Sequence, residues 1–201
     1  MRFYSEAAPD FEITNLLDDG LLRLLSAGNH QTLRERLTDM LRVAAGTYGA
    51  ELAMVTCSSI PKEMVAGLAP LNGRPVLKID YPMAQQAVRA GQRIGVAATF
   101  APTIVPTCKL ISEAASEEGS TVEIIQEVTS EAYDALLSGD ERRHDELLLA
   151  AVERLIERDV NVVVLAQISM ARILPLLEGN TRVPVLSSLQ TSLSAIRSAL
   201  K

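Results

Sequence analysis

The chain has no tryptophan, and aromatic residues make up only 3% of its 201 positions. Platforms on which nucleobases stack are therefore missing. Lys and Arg number 19 against 25 Asp and Glu, giving a formal net charge of -6 with no basic block. A nucleic-acid partner is excluded, because phosphate binding needs clustered cations. No run of eighteen apolar residues is present, so the sequence predicts no membrane span. The opening residues MRFYSEAAPDFEI lack the apolar stretch of a signal peptide. The two cysteines, Cys57 and Cys108, form no disulfide framework and no C-x-x-C zinc pattern. Together these absences predict a cytoplasmic protein with two free thiols and no metal. No Gly-rich phosphate loop or dinucleotide fingerprint occurs, so no cofactor is inferred.

What remains is a composition able to fold: 48% hydrophobic and 22% charged residues. Short apolar runs occur at Ile13–Leu17, Leu52–Thr56, Arg93–Phe100 (RIGVAATF) and Val160–Ala166 (VNVVVLA), with briefer ones at Pro75 and Pro184. Such runs, rich in β-branched residues and lacking polar alternation, predict parallel strands buried on both faces. Helical spacing separates them over 31–48 and 141–158, the second with Asp140 as its N-cap. Alternating strands and helices predict an α/β fold.

The sequence also resembles itself at an offset of 110. The helix from Gln31 falls on the helix from Glu141, and Cys57 falls on Gln167. With one residue of slip, Pro75 meets Pro184 and PVL meets PVL. The fold expected is two pseudosymmetric parallel-sheet lobes, flavodoxin-like half-domains. The first lobe would span 1–91 plus a C-terminal helix over 188–201, and the second 92–187. In this register the counterparts of RIGVAATF and APTIVPT fall before Met1. The first lobe is thus expected to lack its opening strand, through a misassigned start or a trimmed chain.

In open parallel sheets ligands bind beyond the carboxyl ends of strands. Three polar clusters sit there: Thr56-Cys57-Ser58-Ser59, Thr99-Phe100-Ala101-Pro102-Thr103 and Gln167-Ile168-Ser169. The repeat predicts that the first and third face each other, with helix N-termini directed at a small anionic ligand. A helix start beside Cys57 would also favour its thiolate, making it a general base or nucleophile. The alternative is a small buried hydrophobe. Ser58, Ser59, Thr99, Thr103 and Ser169 are candidate donors to a carboxylate, or else helix caps. Cys108 reads as core packing, His144 as part of a solvated charged face, and Lys78 as a surface lysine or, near a strand end, as a cation that faces the cleft and attracts an anion. Asp18-Asp19-Gly20 reads as a turn more readily than as a metal ligand set.

At this point the motifs reach a family. AMVTCSS, RIGVAATFAPTI, VVVLAQISMARI and PVLSSLQTSL, in that order, resemble the aspartate/glutamate/hydantoin racemase superfamily. That resemblance implies a cofactor-independent enzyme acting on a small carboxylate, amino acid or hydantoin. In its racemases two thiols flank the substrate α-carbon. Cys57 matches the first, whereas Gln167 occupies the position of the second. An amide neither gives nor takes a proton near neutral pH. Decarboxylases of the superfamily also keep one thiol, though the other one. The sequence therefore leaves open a one-thiol isomerase or decarboxylase, a racemase-like enzyme, and a non-catalytic ligand-binding homologue. Assembly into a homo-oligomer is compatible with each.

Overall fold

The computed structural model describes Tyr4, 8–68 and 73–201. The chain divides into two compact units, one comprising Met1–Lys78 with Leu193–Lys201 and the other Ile79–Ser192.

The second unit is a three-layer α/β/α body. Its elements run α4 (Tyr81–Ala90), β3 (Arg93–Ala98), α5 (Ile104–Glu117), β4 (Glu123–Val128), α6 (Ser130–Leu137), α7 (Glu141–Glu157), β5 (Val162–Leu165), α8 (Leu174–Leu177) and β6 (Val185–Ser187). The strands form one parallel sheet in the order β4-β3-β5-β6. The two central strands are the apolar runs RIGVAA and VVVL, and side-chain alternation explains why both faces are apolar. Ile94, Val96, Ala98, Val162 and Val164 point into one core with α4 and α5. Ala97, Val163 and Leu165 point into the opposite core with Leu148, Val152 and Leu155 of α7. At Gly95 the helix lies so close that an added Cβ would sit 3.3 Å from Leu155. After β3 the chain crosses through α5 to β4 on one side; after β4 it returns past β3 to β5 on the other. The carboxyl ends of β3 and β5 therefore mark the topological switch point of the sheet.

The first unit holds α1 (Gly20–Ser26), α2 (His30–Gly46), β1 (Ala53–Val55), α3 (Lys62–Ala66) and β2 (Val76–Lys78). The last helix, α9 (Ser188–Ala199), begins in the second unit and ends in the first. Among the described residues β1 and β2 form a two-stranded parallel sheet. Leu33 and Leu37 of α2 pack with Ile60, Met64, Val65 and Leu68. The apolar run Ile13–Leu17 was expected as a strand and forms none. A strand needs a neighbour for its backbone groups. In the second unit the corresponding segment pairs with β3; here no described residue pairs with it.

The internal repeat is present hydrogen bond by hydrogen bond. Ala53 N donates to the Pro75 carbonyl (3.1 Å), as Val163 N donates to that of Pro184 (2.9 Å). Thr32 N donates to Oδ1 of its cap Asn29, as Arg143 N donates to Oδ1 of Asp140. Gly28 and Gly139 take the same left-handed turn ahead of those caps, with φ of 68° and 83°. The two parallel-sheet units are thus variations on one half-domain.

Candidate active site

Cys57 lies two residues beyond β1 and is exposed. Its carbonyl accepts from Ile60 N at 3.2 Å, closing a tight turn through the half-buried Ser58 and Ser59. Gln167 lies two residues beyond β5 in the same turn, its carbonyl accepting from Met170 N at 3.1 Å. The sequence match of Cys57 to Gln167 is therefore a match of backbone geometry.

The expectation that a helix starts beside Cys57 needs correction. The next helix, α3, begins at Lys62 after Pro61 and has five residues. Pro61 and the intervening turn hold its N-terminus away from the thiol, so helix-dipole activation finds little support. A cation does approach this turn. Lys78 is buried at 7% exposure rather than placed at the surface, and its Nζ donates to the Ser58 carbonyl at 3.2 Å.

In the second unit the candidates meet at the switch point. The Gln167 side chain spans from β5 to the end of β3. Its Oε1 accepts from Thr99 N at 2.8 Å and from Phe100 N at 3.4 Å, and its Nε2 donates to Thr99 Oγ1 at 2.8 Å. Thr99 is buried, at 1% exposure. Two successive backbone N–H groups aimed at one oxygen form an anion-type nest, here filled by a neutral amide oxygen. Gln167 Nε2 and the Thr99 hydroxyl each keep one hydrogen beyond these bonds. Thr103 is buried and donates its hydroxyl to the Phe100 carbonyl at 2.7 Å, which leaves it acceptor capacity only. Ser169 is exposed in the 3₁₀ turn Ile168–Ile173. The Phe100 ring is partly exposed and packs on Tyr133, with centroids 5.1 Å apart.

The 3₁₀ turn after Gln167 is tied to the first turn of α7. Arg172 pairs with Glu141 at 2.8 Å and with Asp145 at 2.9 Å. The Arg172 guanidinium holds the Glu141 carboxyl below the ordinary carboxylate range, while Glu141 in turn raises Arg172. His144, expected on a solvated face, is fully buried, with Nδ1 2.8 Å from Asp145 Oδ1. With the N-caps Asn29 and Asp140 aligned, an offset of 111, His144 occupies the helix position of Leu33, itself fully buried. Its Nε2 has no hydrogen-bond partner among the described residues. Cys108 is half-buried on α5, and burial pushes its thiol pKa up. Asp18 accepts from Gly20 N at 2.9 Å and pairs with Arg36 at 2.7 Å, which makes it a turn and ion-pair residue. Among the described residues no group of three or more His, Cys, Asp or Glu could hold a metal. Nor is any described helix long and apolar enough to cross a membrane.

The family described as Asp/Glu/Hydantoin racemase matches residues 23–196. The chain belongs to that family. An allantoin racemase from Klebsiella pneumoniae is similar over 84% of this chain and 66% of its own, with a TM-score of 0.65 at 16% identity. A Yersinia pestis protein provisionally named an Asp/Glu racemase is similar over 100% of this chain and 90% of its own, with a TM-score of 0.70 at 17% identity. An arylmalonate decarboxylase covers 85% of this chain and 77% of its own, with a TM-score of 0.60 at 17% identity. The chain spans 66% of the length of the Klebsiella allantoin racemase and 65% of a glutamate racemase from Bacillus anthracis. No curated protein matches. At these identities the structural likenesses establish the fold that racemases and decarboxylases share. Membership of the family places the chain among racemase-, isomerase- and decarboxylase-like proteins.

Proposed function

We propose that this protein is a cofactor-independent enzyme of racemase/isomerase type, acting on a small carboxylate or amino-acid derivative, with Cys57 as its one acid–base thiol. The observation that carries the reading is an exposed cysteine at a strand's carboxyl end, in the same turn that presents Gln167 in the repeat. Gln167 stands in the second-thiol position and contributes hydrogen bonds rather than a proton. Ser58 and Ser59 stand in the Cys57 turn, and Thr99 and Ser169 beside Gln167 in the second unit; the Thr103 hydroxyl is taken by the Phe100 carbonyl. Lys78, bonded to the Ser58 carbonyl, holds the cysteine turn and adds positive charge beside it.

One thiol favours reactions that need proton transfer on a single face. In α-proton exchange the Cys57 thiolate takes the proton, and the C–H electron pair passes into the carboxylate as an enediolate. The thiol returns a proton to the same face, which gives exchange alone, or water supplies one to the opposite face, which inverts the centre. In decarboxylation the C–C pair passes into the remaining carboxylate as CO₂ leaves, and the Cys57 thiol protonates the α-carbon.

The test is a panel of small dicarboxylates, amino acids, hydantoins and arylmalonates incubated in D₂O and followed by NMR. Deuterium entering an α-position, or loss of CO₂, is expected for at least one class. Cys57→Ala should lower that rate by about 10²-fold or more, the usual effect of losing a positioned acid–base group. Full activity in Cys57→Ala would refute the mechanism. A second reading, a non-catalytic ligand-binding homologue, is favoured by the side chain of Gln167, which already fills the Thr99–Phe100 nest. It predicts saturable binding of a panel member with no deuterium exchange.

A further inference from the structure

His144 is fully buried, yet only one of its two ring nitrogens is engaged. Nδ1 lies 2.8 Å from Asp145 Oδ1, and Nε2 has no hydrogen-bond partner among the described residues. A half-satisfied ring in a core costs free energy that an apolar side chain of similar size avoids. The first unit shows that the half-domain does not require it. With the N-caps aligned, Leu33 stands at the His144 position and Arg34 at that of Asp145. At the Cys57–Gln167 offset of 110, Lys62 stands at the position of Arg172. The His–Asp–Arg set belongs to the half that carries Gln167.

The one contact of the ring is not a by-product of helix packing. Neighbouring residues on a helix do not face each other, so the ring and the Asp145 carboxylate have to turn toward one another. Asp145 Oδ1 also accepts from Arg172 Nε at 2.9 Å, and Nη2 of the same guanidinium reaches Glu141 Oε2 at 2.8 Å. An ionised carboxylate only accepts, so Nδ1 carries the ring proton. Two donors on one oxygen fix the last torsion of Asp145, which is otherwise broad. Arg172 stands in the 3₁₀ turn Ile168–Ile173, which Gln167 caps; the Gln167 carbonyl accepts from Met170 N at 3.1 Å.

We propose that His144 is a positioning residue for Gln167. Its Nδ1–H orients Asp145, Asp145 orients Arg172, and Arg172 fixes the 3₁₀ turn from which the Gln167 side chain reaches Thr99. The ring stays in the core for that one hydrogen, which accounts for the idle Nε2. What the positioning serves rests on the hydrogen-bonding role proposed for Gln167; the chain of contacts does not.

Nitrogen-15 NMR of the full chain reads the ring directly. At pH 8 His144 should show a protonated Nδ1 and a bare Nε2. His144→Leu removes the donor and keeps an apolar side chain in the core. It should melt within a few degrees of wild type, yet speed exchange of the Met170 amide by roughly tenfold or more. His144→Asn should restore slow exchange, because its amide nitrogen stands one bond from Cγ, as Nδ1 does. His144→Gln should not, because its amide nitrogen stands two bonds from Cγ, as Nε2 does. For any panel member that binds, affinity should follow the same order, with a loss of roughly fivefold in the leucine and glutamine variants, the worth of about one hydrogen bond. A ring protonated at Nε2 instead, loss of the fold in His144→Leu, wild-type Met170 exchange in that variant, or equal rescue by His144→Gln would overturn the proposal. Exchange in the expected order with affinity unmoved would leave the positioning chain standing and refute the part given to Gln167 in ligand binding.

Discussion

Replacing Gln167 with alanine separates the structural role of the amide from any chemical one. The wild-type side chain makes two well-formed bonds, Oε1 to Thr99 N and Nε2 to Thr99 Oγ1, both 2.8 Å, with a longer third to Phe100 N. Each neutral bond contributes about 1 kcal/mol net, and a buried donor left without an acceptor costs about 1–3 kcal/mol. Thr99 is 1% exposed, so water reaches its N–H only if the end of β3 opens. Gln167→Ala should therefore destabilise the Ile79–Ser192 unit by about 2–3 kcal/mol. For a body of this size that lowers the melting midpoint by roughly 10 °C. Gln167→Glu should recover most of the loss. A carboxylate oxygen still accepts from the two N–H groups, more strongly because it is charged, and the Thr99 hydroxyl rotates to donate to it. Calorimetry of the three proteins, with hydrogen exchange at Thr99 and Phe100, is the assay. The reasoning fails if the alanine variant melts within a degree or two of wild type, or if the Thr99 amide exchanges at the wild-type rate.

Three further outcomes follow from the same geometry. His144→Leu should leave stability unchanged or raise it by about 1 kcal/mol, because it removes a buried Nε2 without a described partner and restores the side chain of its repeat counterpart Leu33. A drop of several degrees in melting temperature would show that the Nδ1 contact to Asp145 matters more. Iodoacetamide at neutral pH should label the exposed Cys57 and spare Cys108, half-buried and held protonated by its raised pKa; peptide mapping that finds the reverse contradicts the assigned burial. Glu141 has its pKa lowered, first by the hydrogen bond from Arg172. Its stabilising contribution is therefore present above the unfolded value of about 4.3 and is lost as pH falls through the lower folded value. Arg172→Met should flatten the fall in stability across that acid range, and an unchanged pH profile would remove the linkage.

The central sheet was legible because RIGVAA and VVVL are continuous apolar runs, a pattern that only strands covered on both faces produce. The repeat was legible because Cys57 and Gln167, and Pro75 and Pro184, fall at spacings of 110 and 109. What could not be read were the properties set by tertiary neighbours. His144 sits within GDERRHDELL, so local composition says solvent, but helix phase turns it to the core. Ile13–Leu17 has the composition of a strand, and strand formation also needs a partner backbone beside it. Lys78 ends an apolar run, and its partner Ser58 is twenty positions away. The site was legible as three polar strand ends; that Gln167 reaches across to Thr99 depends on side-chain length and on strands adjacent in space but not in sequence.

The two equivalent turns differ in what supports them, and this bears on chemistry. Gln167 follows a strand paired on both sides, its side chain is fixed at both ends, and the 3₁₀ turn beyond it is held by Arg172. Cys57 follows a three-residue strand that, among the described residues, pairs with β2 alone. Acid–base catalysis depends steeply on position, since misplacing a reacting group by about 1 Å can cost 10²-fold in rate. The residue proposed to move the proton therefore stands on the less constrained of two homologous platforms.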